Sequence, residues 1–157
     1  METKKLFNCK LDGEYSKVLL DQYKLYVEMT DRVSQRRGAA NTFYITVNAA
    51  ILTISSWSAE NFGFLIYLIS FVGVLLCVFW FLTIRSYRQL NNAKFIVIHE
   101  IEKELPLNLY SYEWEMLMKG RSLNNYWPLS HIEYYVPLAF GVFYILLSII
   151  TKISGGG

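Results

Sequence analysis

Six small residues of one segment, Ala39, Thr42, Thr46, Ala49, Thr53 and Ser56, follow one another at intervals of 3-4-3-4-3. That period puts them on one face of a helix, where small side chains let a second helix approach closely in lipid. Beside them Asn41, Asn48 and Ser55 recur every seven residues. An amide left unpaired in hydrocarbon costs about 2–7 kcal/mol, so these asparagines need partners. Two readings stay open. They form interhelical hydrogen bonds that fix subunit register, or they line a watery path for small ions along an uncharged polar stripe. A second group is basic: Arg32, Arg36, Arg37, Arg85 and Arg88. They set topology and attract anionic lipid heads, or they hold a phosphate-bearing ligand by bidentate guanidinium contacts, with Tyr26 and Tyr87 to stack bases. Lys119-Gly120-Arg121 is a weaker basic element.

Other reactive types are sparse. His99 sits in Ile98-His99-Glu100-Ile101 and His131 in Ser130-His131-Ile132-Glu133, neither at a spacing that pairs it with a Ser or Cys nucleophile. A metal set drawn from His99, Glu100, Glu102, His131 and Glu133 is the weaker alternative to Glu100, Glu102 and Glu104 as a solvated helix face. Cys9 and Cys77 have no metal-ligand spacing, and Cys9 is expected as a reduced thiol. No Gly-rich phosphate loop occurs apart from the terminal glycines. No catalytic residue, metal or cofactor is expected, and the chain reads as a non-enzyme.

The elements that must position these residues are membrane helices. Of 157 residues, 54% are hydrophobic and 18% charged, against roughly 25% charged in ordinary globular domains. Gly38–Ala59, Asn61–Ile84 and Tyr134–Thr151 contain no Asp, Glu, Lys or Arg. Each is close to the roughly 20 residues that cross a hydrocarbon core of about 30 Å as a helix. This disfavours a soluble enzyme with one core, disorder, and a disulfide-stapled module. A signal peptide is not expected either, because the first 37 residues carry 14 charges.

The expected layout is a polar helix within 1–37, a membrane hairpin over 38–84, and a helical insert over 85–133. A third span follows at 134–151, and 152–157 form a tail ending in a glycine linker. The arginines lie before the first span and after the second, whereas the turn between carries only Glu60. This places the amino terminus and the insert in the cytoplasm and the carboxyl terminus outside. Trp57, Trp80, Trp127, Tyr134 and Tyr135 fall near the expected boundaries. Within the insert, Leu90, Ala93, Val97, Ile101 and Leu105 mark a helix that Pro106 should stop. Ser111 should cap a short helix over 112–119. Ser130 and Glu133 match a capping box, and Pro137 predicts a kink in the third span. The fold class is therefore all-α, with three membrane helices per subunit, a cytoplasmic helical layer and assembly as a homo-oligomeric ring.

Three stretches carry a family resemblance: Tyr23–Arg37 (YKLYVEMTDRVSQRR), Arg85–Pro106 (RSYRQLNNAKFIVIHEIEKELP) and Tyr126–Glu133 (YWPLSHIE). Together they resemble the RipA-type octameric membrane proteins of bacteria. The outline of cytoplasmic helix, membrane hairpin and long following helix is also similar to SLATT-type effectors. The resemblance implies a homo-oligomer in the bacterial inner membrane. It further implies a pore-forming effector of an anti-phage system, Hailong-type systems among them, with a nucleotidyltransferase encoded nearby. The expected function is thus an inner-membrane ion channel or pore gated by a cytoplasmic nucleotide or single-stranded oligonucleotide. The rival expectation is a non-conducting membrane scaffold or stress-related protein that binds a cytoplasmic partner, with Tyr110, Tyr112 and Trp114 as anchors.

Overall fold

The computed structural model describes residues 15–58, 63–105, 107–119 and 129–154. Four helices account for nearly all of them: α1 (Tyr15–Ser58), α2 (Gly63–Glu102), α3 (Leu109–Lys119) and α4 (Leu129–Ser154). The expected all-α class holds for every described element. The polar helix and the first uncharged segment form one helix of 44 residues. The second uncharged segment runs without a break into the insert, giving a helix of 40 residues. At about 1.5 Å per residue, each is roughly twice as long as a bilayer core is thick, so part of each lies outside any membrane.

Two of these helices, and not the expected three, are long and apolar enough to cross a membrane: one within Phe64–Glu102, the other Ile132–Ile153. Only 28% and 11% of their most apolar windows are buried, the reverse of a core helix in a soluble protein. Segment 38–58 of α1 falls short because Asn41, Asn48 and its threonines and serines dilute its apolar residues.

The chain divides into two compact units. The apolar unit comprises Gln35–Arg88 and Trp127–Gly157. In it, α1, α2 and α4 pack around Ile66, Cys77, Trp80, Ile84 and Tyr144. Trp80 stacks on Tyr44 with ring centroids 5.6 Å apart and planes 8° from parallel, and Phe140 of α4 closes on it at 6.0 Å. The α2–α4 contact depends on Gly73: a Cβ there would lie 2.5 Å from Cζ of Tyr144. The absence of a side chain is what admits the tyrosine ring. Pro137 lies buried inside α4.

The charged unit comprises Met1–Ser34 and Gln89–Tyr126. Among the described residues, Leu19 of α1 and Ile98 and Ile101 of α2 are its buried apolar side chains. The short helix begins at Leu109, three residues before the expected start. Its first intrahelical bond, from Tyr112 N–H to the Asn108 carbonyl at 2.9 Å, makes Asn108 the cap in place of Ser111. The expected turn at Glu60, the stop at Pro106, Trp127, Cys9 and the loop residues Gly120 and Arg121 lie outside the described residues. So do the side chains of Ser56, Trp57, Trp114, Lys119, Ser130 and His131.

Candidate functional site

The asparagines of α1 find their partners within their own chain. Asn48 is fully buried. Its Nδ2–H donates to the Tyr44 carbonyl at 2.8 Å, while its Oδ1 accepts the Tyr144 hydroxyl at 3.1 Å and the Cys77 thiol at 3.7 Å. One amide thus ties α1 to α2 and α4. Asn41 Oδ1 accepts Trp80 Nε1–H at 2.9 Å. The buried Ser55 hydroxyl donates back to the Ile51 carbonyl at 2.8 Å. The stripe expected to line or cross-link a subunit axis is therefore an internal seam of the three-helix packing. The physical reason is the pairing requirement itself, since the tyrosine, tryptophan and thiol donors of the same chain meet it.

The small-residue seam faces the other way. Ala39, Thr42, Thr46, Ala49 and Thr53 are all exposed. The hydroxyls of Thr42, Thr46 and Thr53 each donate to the carbonyl four residues back, at 3.2, 2.9 and 3.0 Å. Their hydrogens are spent within the helix, leaving methyl groups and oxygen lone pairs on the surface. The exposed faces of α2 and α4 are quite different. They carry Phe64, Leu68, Phe71 and Phe79, and Leu138, Phe143, Leu146 and Ile150.

The five arginines have unequal surroundings. Arg37 pairs with Glu133 at 3.6 Å, with side chains 19% and 17% exposed. Glu133 Oε2 accepts no hydrogen bond, so this contact is electrostatic alone. Arg88 lies over the Tyr134 ring at 5.4 Å, a cation–π contact. These two fasten the start of α4 to α1 and α2. Arg36 and Arg85 are exposed, with no ion pair among the described residues. Arg32 belongs to the charged unit and bonds Glu28 one turn back at 2.8 Å. Two of the five therefore remain open to an anion in the apolar unit.

The densest polar site is one the charge pattern hid. Glu102, expected on a solvated face, is fully buried. Its Oε1 accepts the Tyr23 hydroxyl at 3.1 Å and Tyr110 N–H at 2.8 Å. Its Oε2 accepts Ser111 N–H and the Ser111 hydroxyl, both at 3.0 Å. A carboxylate from α2 thus satisfies free donors in the first turn of α3, where the helix dipole also favours negative charge. Burial pushes the Glu102 carboxyl up, but the Tyr110, Ser111 and Tyr23 donors outweigh it and hold it below the ordinary carboxylate value. The Tyr23 hydroxyl is pushed up to about 12, by burial first and then by this carboxylate. Burial likewise raises the Tyr110 hydroxyl, as do Asp31, Glu113 and Glu102. A sequence signal existed: Glu102 lies four residues after Ile98, on the opposite side of the helix from Glu100 and Glu104.

His99 Nδ1 is 2.9 Å from Ser111 Oγ, whose proton goes to Glu102, so the imidazole is the donor to that oxygen. The order is histidine, serine, carboxylate. A hydrolytic relay instead needs the imidazole between the other two. Lys94 is a second buried charge, 8% exposed, with its Nζ 4.5 Å from the centre of the Tyr26 ring. Among the described residues no three His, Cys, Asp or Glu side chains group to hold a metal.

Residues 20–153 match the model of the octameric membrane protein family (8xMP). That span includes all three stretches on which the resemblance rests. No curated protein and no solved structure matches the chain.

Proposed function

The chain belongs to the octameric membrane protein family, and from that premise we propose that it forms a homo-octameric ion-conducting ring in the bacterial inner membrane. The carrying observation is the division of exposed surface in the apolar unit. Large apolar side chains cover α2 and α4, whereas α1, beside exposed Phe43, Ile45 and Ile54, presents a face of alanines and internally bonded threonines. Lipid matches the first kind of surface. Close helix packing or water around a central axis matches the second.

In this reading α1 crosses the bilayer as the third helix of each subunit, although its composition alone does not mark it as a span. Its support is lateral. Asn41, Tyr44 and Asn48 bond Trp80, Thr83 and Cys77 of α2 and Tyr144 of α4, so α1 lies alongside both apolar helices. Sheltered from lipid by α2 and α4, α1 forms the inner wall, and Thr42, Thr46 and Thr53 face the conducting path.

The ring must be shut at rest, because a constant leak dissipates the membrane potential. A ligand shifts that balance only through unequal affinity for the closed and open states. Exposed Arg36 and Arg85, repeated around a ring, provide guanidinium groups for the phosphates of a cytoplasmic nucleotide or single-stranded oligonucleotide. The family resemblance adds the setting: an anti-phage effector beside a nucleotidyltransferase that makes the signal.

The experiment is ion flux from liposomes holding the purified protein, with and without added nucleotides. A Thr46→Cys variant treated with a charged, water-soluble thiol reagent should lose that flux. The variant is made in a Cys9→Ser background, which buried Cys77 leaves insensitive to the reagent. Flux that persists in modified Thr46→Cys removes α1 from the path. No flux under any nucleotide favours the scaffold.

A further inference from the structure

The charged unit exposes apolar side chains that its own packing does not use. On α3, Leu109, Tyr112 and Met116 are 61%, 66% and 59% exposed. Their spacing of three and four residues makes them one stripe. The neighbouring positions Tyr110 and Ser111 are the ones bonded to Glu102, so the stripe lies away from the docked side of the helix. On α1, Val18, Leu25 and Met29 are 47%, 58% and 46% exposed and also share one face, whereas Leu19 and Thr30 are buried. Apolar stripes on a unit this rich in charge mark contact surfaces.

We propose that the α3 stripe of one copy docks against the α1 stripe of the next, making a head-to-tail contact between charged units around the ring. The inference rests on the octameric reading above and adds to it the surface by which neighbours join. Three observations select a second copy as the occupant. A closed ring with head-to-tail contacts needs two unlike faces on every subunit, and this unit carries two. Each rim carries an unpaired charge of opposite sign: Glu113 adjoins the α3 stripe and Lys17 adjoins Val18, neither with an ion pair among the described residues, whereas Asp21 and Glu28 beside the α1 stripe are held by Lys24 and Arg32. The third observation concerns the other apolar acceptor, the bilayer surface. Helix α3 carries Glu113 and Glu115 against the single Lys119, and an anionic leaflet repels such a helix.

The test uses the whole chain in lipid nanodiscs, with Cys9→Ser so that buried Cys77 is the one native cysteine left. Single cysteines replace Leu109, Tyr112 or Met116, each combined on the same chain with a cysteine at Val18, Leu25 or Met29. A short bismaleimide is then added, and products are separated under denaturing conditions. At least one pairing should give a ladder of covalent multimers up to the full ring, and neither of its single cysteines should give more than traces. Native mass measured on the same samples separates the two ways of failing. Oligomeric mass with no ladder from any pairing overturns the contact and leaves the ring intact. Efficient dimers from Tyr112→Cys alone overturn it in favour of a symmetric α3–α3 contact. A monomeric mass overturns the ring and the contact together.

Discussion

Replacing Glu102 with glutamine changes one buried atom and one charge, and its consequences follow from the four bonds the carboxylate accepts. Each carboxylate oxygen takes one backbone N–H and one hydroxyl. A glutamine must turn its NH2 toward one of those pairs. The hydroxyl there can reverse and accept, but the backbone N–H, of Tyr110 or of Ser111, cannot. One amide of α3 is then unmet in either orientation, at about 1–3 kcal/mol, and the remaining bonds lose their charge assistance. Removing the buried charge returns part of its desolvation cost. The balance is a loosening of α3 by about 2–3 kcal/mol, equivalent to roughly 30- to 150-fold faster amide exchange where local opening governs it. Hydrogen exchange read by mass spectrometry on peptides within 107–119 measures this, with peptides from 39–55 as the internal control. Glu102→Ala should go further, since no acceptor remains. Unchanged exchange over α3 in Glu102→Gln would refute the assignment of the carboxylate as its anchor.

Acid should produce the same loosening reversibly. The Glu102 carboxyl lies below its ordinary value in the fold, so its contribution is complete above the unfolded carboxylate range and fades as pH falls through the lower folded value. At the other end, Tyr23 shifts from 10.0 to about 12. Its contribution is complete below pH 10 and is lost as pH rises toward 12, so α3 protection, corrected for intrinsic exchange, should be flat through neutrality. Asn48→Leu should cost about 1 kcal/mol, the scale of interhelical hydrogen bonds in membranes, because the Tyr144 hydroxyl keeps the Asn48 carbonyl at 3.3 Å. Thermal unfolding in detergent checks that figure, and a loss above 4 kcal/mol would show a larger role. Lys94→Met replaces a buried ammonium that has a ring but no anion among the described residues, and the melting temperature should stay level or rise. A fall of several degrees would reveal an anionic partner for Lys94 in the assembly.

How much of this could be read in advance depended on the range of the interaction. The 3-4 spacing of Ala39 to Thr53 is a local property of helical periodicity, so its single face was visible in the letters, as was the pairing need of Asn41 and Asn48. The identity of the partner was not. Tyr144 lies 96 residues from Asn48, and nothing near either position points to the other. Glu102 was misread because its neighbours Glu100 and Glu104 suggested a charged face, although two residues of helix turn the side chain by about 200°. Composition does not mark α1 as a span, since Asn41 and Asn48, which join it to α2 and α4, also lower its hydropathy. The start of α3 was missed because its anchor arrives from another helix.

The Gly73–Tyr144 contact makes two distant positions a single choice. A methyl group on residue 73 and a ring on residue 144 cannot occupy the same volume, so each residue sets the largest size the other can have. Gly73→Ala alone should unseat α4. Paired with Tyr144→Leu it should be tolerated, since the ring that blocks it has gone. Chains that share this packing are then expected to drift at the two positions only in concert, exchanging bulk on one helix for bulk on the other.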